Sequence, residues 1–124
     1  FTAAPFFKDL PAKMATSHLV VARSGASTVA ELAVIGRPSI LVPLPGSLDQ
    51  DQAANAAVLE RIGAAFPRPQ TDFTPERLAA DLGALLGDPD RLAKAAAAAK
   101  AAGLPDAAER LAALVVETAV AAAR

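Results

Sequence analysis

The segment LVVARSGASTVAE, residues 19–31, decides the fold and gives the first functional hypothesis. Its apolar run, residues 19–22, has the composition of a buried strand, and a turn of small residues joins it to a helical period. The N–H groups at the start of such a helix have no partner within the helix, and no bulky side chain keeps a ligand away from them. They carry a partial positive charge, so this turn suits a phosphate group.

Glu31 follows about one helical turn later. Its carboxylate can accept hydrogen bonds from both hydroxyls of a ribose, because it has two acceptor oxygens. The helix start and Glu31 together predict nucleotide binding. The alternative is a capping box, in which Thr28 caps the helix and Glu31 folds back onto the same backbone turn. The spacing alone leaves both interpretations open.

Apolar runs alternate with helical periods along the rest of the chain. Residues 39–44 are the clearest strand, apolar on both faces as a central parallel strand is. Further strands are predicted at 2–7 and 64–67, and helices at 8–16, 28–35, 49–62, 74–86, 88–102 and from 104 onward. Gly36 is expected to end its helix as a C′ glycine, and the Thr74 hydroxyl is expected to cap the helix that begins there. This alternation predicts an α/β fold, with a partial Rossmann-like parallel sheet and flanking helices.

Size and composition exclude several classes of protein. With 124 residues the chain forms one domain at most. The net charge of −1 gives no basic face for nucleic acid, and without cysteine there is no disulfide or thiolate metal site. The sequence has no run of 18 strongly apolar residues, so it predicts no membrane span. These features favour a cytoplasmic protein, and the few predicted strands and the start at Phe1 lead us to expect part of a longer chain.

A second polar loop, residues 43–52, follows the strand predicted at 39–44. Because parallel strands end at the same sheet edge, we expect this loop and the turn before the first long helix to line one pocket. Gln50 or Gln52 can reach a sugar hydroxyl there. The alternative is a helix cap with Asp49 as N-cap and Gln52 three residues later, and the spacing favours it.

The remaining candidates for chemistry are weaker. His18 is the one histidine and can act as a general base, but it precedes a strand and is expected at the opposite sheet edge. Arg23 can neutralise a phosphate or pair with a surface carboxylate, and the sequence does not decide between them. Asp106 and Glu109 have the spacing of a capping box. The sequence predicts no metal site and no cofactor.

Three motifs of the sequence are similar to those of a known family. The motifs RSGASTVAEL (23–32), GRPSILVP (36–43) and DQDQAANA (49–56) occur in this order and with these gaps. They resemble the MurG family of bacterial N-acetylglucosaminyltransferases, which have the GT-B fold. The resemblance extends from Pro5 to the LPDA motif that ends at Ala107, and it is to the second half of the C-terminal, donor-binding domain.

The resemblance implies a reaction. The family transfers N-acetylglucosamine from UDP-N-acetylglucosamine to lipid I, with inversion at the anomeric carbon, and so forms lipid II for peptidoglycan. A helix N-terminus, with no bound metal, holds the diphosphate. The whole protein is expected on the cytoplasmic face of the bacterial inner membrane, which it contacts as a peripheral protein.

The resemblance also implies the site residues. Phe7 matches a residue whose backbone contacts uracil, Glu31 matches an acid that binds the ribose hydroxyls, and Gln52 matches a glutamine that contacts the donor sugar. The rest of the donor-binding segment corresponds to Ala26, Ser27, Thr28, Val29 and Ala30. Asp51 stands where other members have a glutamine.

The resemblance assigns residues 1–124 to part of the UDP-sugar-binding domain. In the family, the N-terminal acceptor domain binds lipid I and supplies the proposed catalytic base, so no catalytic residue is expected in this chain. Two alternatives remain open at this point. The chain can be a stand-alone donor-binding subunit of a two-chain N-acetylglucosaminyltransferase, or part of a GT-B enzyme with a different glycolipid acceptor.

Overall fold

A parallel sheet forms the centre of the fold. A computed structural model describes the backbone of residues 1–124 and every side chain except that of Asp49, so the cap predicted at Asp49 lies outside the described side chains. In the described backbone the strands are β1 (Val20–Ala22), β2 (Ser39–Leu41) and β3 (Ala65–Pro67), in the order β1–β2–β3. Both pairings are parallel, with Ile40 opposite Val21 on one side and Phe66 on the other.

Helices alternate with the strands and then complete the chain. The helices of the described backbone are α1 (Leu10–Thr16), α2 (Ala26–Ile35), α3 (Asp51–Arg61), α4 (Pro75–Leu86), α5 (Pro89–Ala102) and α6 (Ala107–Ala122). Short 3₁₀ turns occupy Leu48–Gln50 and Gln70–Asp72. The predicted α/β fold with a parallel sheet is confirmed. None of the described helices is both long enough and apolar enough to cross a bilayer.

Local signals in the sequence fix three helix ends where they were predicted. Gly36 ends α2 with φ of +79°, a conformation that favours glycine, and its N–H donates to Leu32 O at 2.9 Å. The Thr74 hydroxyl accepts from the third N–H of α4 at 3.2 Å. Asp88 caps α5 in the same way at 3.0 Å.

Two predicted elements are wrong. Residues 2–7 form no strand and are mostly exposed. A strand needs a neighbouring strand whose backbone it can bond to, and the described strands pair only with one another. Apolar composition alone therefore does not make this segment a strand. The capping box at Asp106 and Glu109 does not form. Asp106 precedes α6 with φ −98° and ψ 22°, away from the extended conformation of a typical N-cap, and its side chain makes no cap hydrogen bond.

Small side chains fill the core, so the layers lie close together. The central strand β2 is buried along its whole length, as predicted. The main buried cluster consists of Leu32, Ala33, Leu41, Ala56, Leu59, Ala64, Ala65 and Ala99. The end of α5 approaches α2 so closely that a Cβ on Gly103 would lie 2.7 Å from the carbonyl oxygen of Ala33.

The close approach of α5 to α2 predicts opposite effects for two glycine substitutions. Gly103→Ala should lower the free energy of unfolding by about 1–3 kcal/mol, because backbone atoms of α2 occupy the space for the new methyl group. Gly83→Ala should raise it by about 0.5–1 kcal/mol, because Gly83 lies inside α4 with open space around it. Urea unfolding followed by circular dichroism measures both values. Equal effects of the two substitutions would contradict the close packing of α5 on α2.

Candidate functional site

The N-terminus of α2 has free backbone N–H groups. Gly25 is the N-cap, with φ −61° and ψ 151°, and no side chain caps the helix. Among the described groups, none accepts a hydrogen bond from the N–H of Ala26, Ser27 or Thr28. Ala26 and Ser27 are exposed, and no neighbouring atom lies within 4 Å of the position a Cβ of Gly25 would take. An anion can therefore reach this helix end directly.

The capping box considered as the alternative at Thr28 and Glu31 does not form. The backbone is already helical at Ala26, and Val29 N–H donates to Gly25 O at 3.0 Å, so Thr28 lies inside the first turn and cannot be the N-cap. Glu31 is exposed, and no described group forms a hydrogen bond or ion pair with it. It lies on the same helix face as Thr28 and Ser27, three and four residues earlier.

Ser24 joins the two loops that were predicted to share one pocket. It is fully buried, and its hydroxyl donates to the backbone oxygen of Gln52 in α3 at 2.7 Å. The side-chain amide of Asn55 donates to the carbonyl oxygen of Ser24 at 3.1 Å. The start of α3 is thereby held beside the start of α2. The sequence places Ser24 in the turn expected to face the diphosphate and Asn55 at the polar start of the next helix, but it does not predict the bonds of Ser24 to α3, because the partners lie 28 and 31 residues apart.

Gln52 is held by its side chain as well as by its backbone. Its Oε1 accepts from Leu44 N–H at 3.0 Å, and its own N–H donates to Asp51 Oδ1 at 2.7 Å. The described bond of the Gln52 side chain is thus not to the start of its own helix but to Leu44, in the loop after β2. The residue before α3 is Gln50, with a left-handed φ of 52°.

Arg23 bonds to the neighbouring loops. Its Nη1 donates to Val42 O at 3.2 Å and to Pro43 O at 3.3 Å, and its Nη2 donates to Gln70 Oε1 at 2.7 Å. Neither predicted role for Arg23 describes these contacts, since its described partners are two backbone carbonyl oxygens and the side-chain amide oxygen of Gln70. The guanidinium ties the segments that follow β1, β2 and β3 together.

Phe7 and His18 lie away from these contacts. Phe7 is half-buried in the irregular segment before α1, and its ring centroid is 5.0 Å from Lys13 Nζ. No described hydrogen bond uses its backbone groups. His18 precedes β1 and lines a cavity with Arg37 and Pro38, which precede β2. As predicted, His18 lies at the opposite edge of the sheet from the loops that Ser24 joins.

A cavity of about 480 Å³ opens at the same sheet edge as the two loops. The loop after β2, one face of α3 and the segment after β3 line it, and its polar residues include Gln50, Glu60 and Arg68. None of the eight residues predicted to bind the donor lines this cavity. The free end of α2 lies outside it, on open surface.

Arg68 holds one wall of the cavity in place. Its guanidinium forms two bonds to Asp81 of α4, Nε to Oδ2 at 2.7 Å and Nη2 to Oδ1 at 2.9 Å. These hydrogen bonds from Arg68, reinforced by its charge and that of Arg77, hold the pKa of Asp81 below its ordinary value of 3.8. The same pair raises the pKa of Arg68.

The chain matches one family model and is similar to a set of curated proteins. The model of the glycosyltransferase family 28 C-terminal domain matches residues 1–111. A UDP-N-acetylglucosamine–N-acetylmuramyl-(pentapeptide) pyrophosphoryl-undecaprenol N-acetylglucosamine transferase of Methylobacterium nodulans is 84% identical over 120 residues, and the protein of the same name from Bradyrhizobium diazoefficiens is 66% identical over 116 residues. The matches cover 97% and 94% of this chain but 32% of each relative. The chain thus spans about a third of the length of these curated relatives.

Solved structures agree with the sequence relatives. The crystal structure of Acinetobacter baumannii MurG matches with a TM-score of 0.83 and 34% identity, covering 92% of this chain and 34% of that one. The spinosyn forosaminyltransferase SpnP matches with a TM-score of 0.61 at 22% identity, covering 86% of this chain and 28% of that one, which shows a shared fold alone. The predicted fold class is confirmed by the first of these matches.

The ion pair at the cavity wall predicts a stability difference that depends on pH. Asp81→Asn should lower the free energy of unfolding by about 1 kcal/mol at pH 7, because Arg68 loses its charged partner at a partly solvated site. The folded pKa of Asp81 is lowered, so its contribution is complete above the ordinary pKa and is lost as the pH falls below about 4. Urea unfolding from pH 7 to pH 2 should show the two proteins converging at low pH.

Glu117→Gln is the matched control for Asp81→Asn, because it converts an exposed carboxylate of α6 to an amide. This control should follow the wild type at every pH. A difference between Asp81→Asn and the wild type that stays constant down to pH 2 would argue against a charge contribution from Asp81.

Proposed function

Because the chain belongs to the glycosyltransferase family 28 C-terminal domain family, we propose that it binds UDP-N-acetylglucosamine as part of a MurG-type N-acetylglucosaminyltransferase. The family that the sequence motifs indicated is confirmed by these matches. The activity of the whole protein is the transfer of N-acetylglucosamine to lipid I, which forms lipid II. Residues 1–124 then form part of the domain that binds the sugar donor.

The observation that carries this proposal is the uncapped N-terminus of α2, with Glu31 on the same helix face. Nucleotide sugars present a diphosphate and a ribose close together, and these groups need an anion site and a diol acceptor at short range. The free N–H groups that begin at Ala26 supply the first, and the Glu31 carboxylate, which has no described partner, supplies the second. The bond between Ser24 and Gln52 brings a third group, an amide side chain, to the same end of the sheet.

We assign the donor to the site as follows. Ala26–Ala30 faces the diphosphate with its backbone, and Glu31 accepts hydrogen bonds from the ribose hydroxyls. Gln52 contacts the sugar, and the backbone of Phe7 contacts uracil. The free backbone groups of Phe7 and its position just before α1, which packs against α2, support this last assignment.

The free helix end also suits the chemistry of the transfer. As the bond between the sugar and UDP breaks, negative charge builds up on the diphosphate. N–H groups that already point at this position stabilise that charge without rearrangement. The acceptor hydroxyl attacks the anomeric carbon directly and inverts it. We assign the base that removes its proton, and the lipid I site, to a part of the protein outside these 124 residues.

The whole protein, in this proposal, works at the cytoplasmic face of the bacterial inner membrane. Its acceptor carries an undecaprenyl chain, and the names of the relatives specify a pyrophosphoryl-undecaprenol substrate. Contact with the membrane is assigned to the remainder of the protein, together with the acceptor site.

Glu31→Ala tests the donor site. The substitution should weaken the binding of UDP and of UDP-N-acetylglucosamine by about 1.5–3 kcal/mol, because this is the range for hydrogen bonding to a charged group. The melting temperature should stay unchanged, because Gly25 is the N-cap and Glu31 bonds to no described group. Isothermal titration calorimetry and thermal unfolding give the two readouts.

Glu60→Ala is the matched control for Glu31→Ala. Glu60 is an exposed carboxylate that lines the 480 Å³ cavity, and its loss should leave both affinities unchanged. Weaker binding in Glu60→Ala together with wild-type affinity in Glu31→Ala would move the nucleotide into that cavity and refute the proposed site.

A further inference from the structure

We propose that Ser24 is a positioning residue, which fixes Gln52 relative to the N-terminus of α2 so that the sugar and the diphosphate are bound by one preformed site. This inference rests on the proposed function, since it concerns how the donor site is built. Ser24 itself touches no ligand in this arrangement. It acts through the backbone of Gln52.

The two polar groups of Ser24 both bond to α3. Its hydroxyl donates to Gln52 O at 2.7 Å, across 28 residues of sequence, and its carbonyl oxygen accepts from Asn55 Nδ2 at 3.1 Å. Ser24 is fully buried and directly precedes Gly25, the N-cap of α2. A buried hydroxyl without its partner would be unfavourable, so this bond holds the first turn of α3 against the first turn of α2.

The side chain of Gln52 has one orientation. A backbone N–H can only donate, so the side-chain atom that lies 3.0 Å from Leu44 N is the oxygen Oε1. The amide nitrogen Nε2 therefore keeps both of its N–H donors, and no described side chain accepts from them. Gln52 offers these donors to the oxygen atoms of a ligand. Its oxygen Oε1 already accepts one hydrogen bond from the protein.

Ser24 and Leu44 restrict Gln52 at its two ends. Ser24 holds the backbone oxygen, and the N–H of Leu44 holds the far end of the side chain. A side chain fixed before the ligand arrives loses less conformational entropy on binding. Loss of the Ser24 hydroxyl removes the restraint on the backbone of Gln52. It removes none of the groups that are proposed to contact the ligand. The effect on binding should therefore be confined to the sugar.

The experiment compares the binding of UDP with the binding of UDP-N-acetylglucosamine in the 124-residue chain. In Ser24→Ala the affinity for UDP should stay within about twofold of the wild type, and the affinity for UDP-N-acetylglucosamine should fall by about tenfold. A general loss of structure would weaken the binding of both ligands together. Ser24→Thr, which keeps the hydroxyl donor, should restore at least half of the loss on a logarithmic scale.

Ser39→Ala is the matched control for Ser24→Ala. Ser39 is another fully buried serine, it lies in β2, and its hydroxyl has no described hydrogen-bond partner. This substitution should change neither affinity. If Ser24→Ala does not fold, Ser24→Cys carries the same comparison, because cysteine keeps the shape of serine and fills the site, but its larger thiol is a weak donor.

A second measurement needs no ligand. Amide hydrogen exchange, followed by NMR, should be faster at Leu44 N–H in Ser24→Ala than in the wild type, because a looser Gln52 protects this N–H less. Unchanged exchange at Leu44, or an equal change in the two affinities, overturns the positioning role and leaves the proposed function intact. A wild-type chain that binds neither UDP nor UDP-N-acetylglucosamine overturns the proposed function, and this inference with it.

Discussion

The burial of one strand determines the rest of this structure. Every residue of β2 (Ser39–Leu41) is buried, so neighbouring strands and helices must cover it on all sides. Five of the eight residues in the main buried cluster are alanines, which keeps the covering layers close together. Because the strands on either side of β2 run parallel to it, the segments that follow β1 and β2 must emerge at the same edge of the sheet. The candidate site lies where they emerge.

The polar contacts at that edge form a second level of organisation. Ser24 links the starts of α2 and α3, and Arg23 links the segments that follow the strands. Both residues belong to the short turn after β1, directly before Gly25, the N-cap of α2. These three consecutive residues have different roles. One holds the loops, one holds the neighbouring helix, and one starts α2 without a side chain. The helix end stays free because the side chains of Arg23 and Ser24 bond to other segments of the protein and Gly25 has no side chain.

The sequence could predict the elements whose signals are local. It could not predict contacts whose two residues lie far apart along the chain. Gly36 and Thr74 mark helix ends through the conformation or hydroxyl of a single residue, and both predictions are confirmed. The sequence could not decide whether Thr28 caps the helix, because several small residues in a row permit more than one helix start, and the backbone at Gly25 decides between them. The role of Ser24 could not be predicted, because its partner lies 28 residues away and its burial depends on the assembled sheet.

The way Arg23 is used bears on how the proposed site works. It is the cation beside the start of α2 in the sequence, yet both of its terminal nitrogens bond to Val42, Pro43 and Gln70. In the proposed function this leaves the diphosphate to neutral amides and a helix dipole, whose attraction falls off within the first turn. Such a site favours an anion only in direct contact and in one orientation. It also holds the anion less tightly than a full cation would. An enzyme that must release UDP after every transfer benefits from that weaker hold, because the charge that stabilises the departing diphosphate also opposes its release.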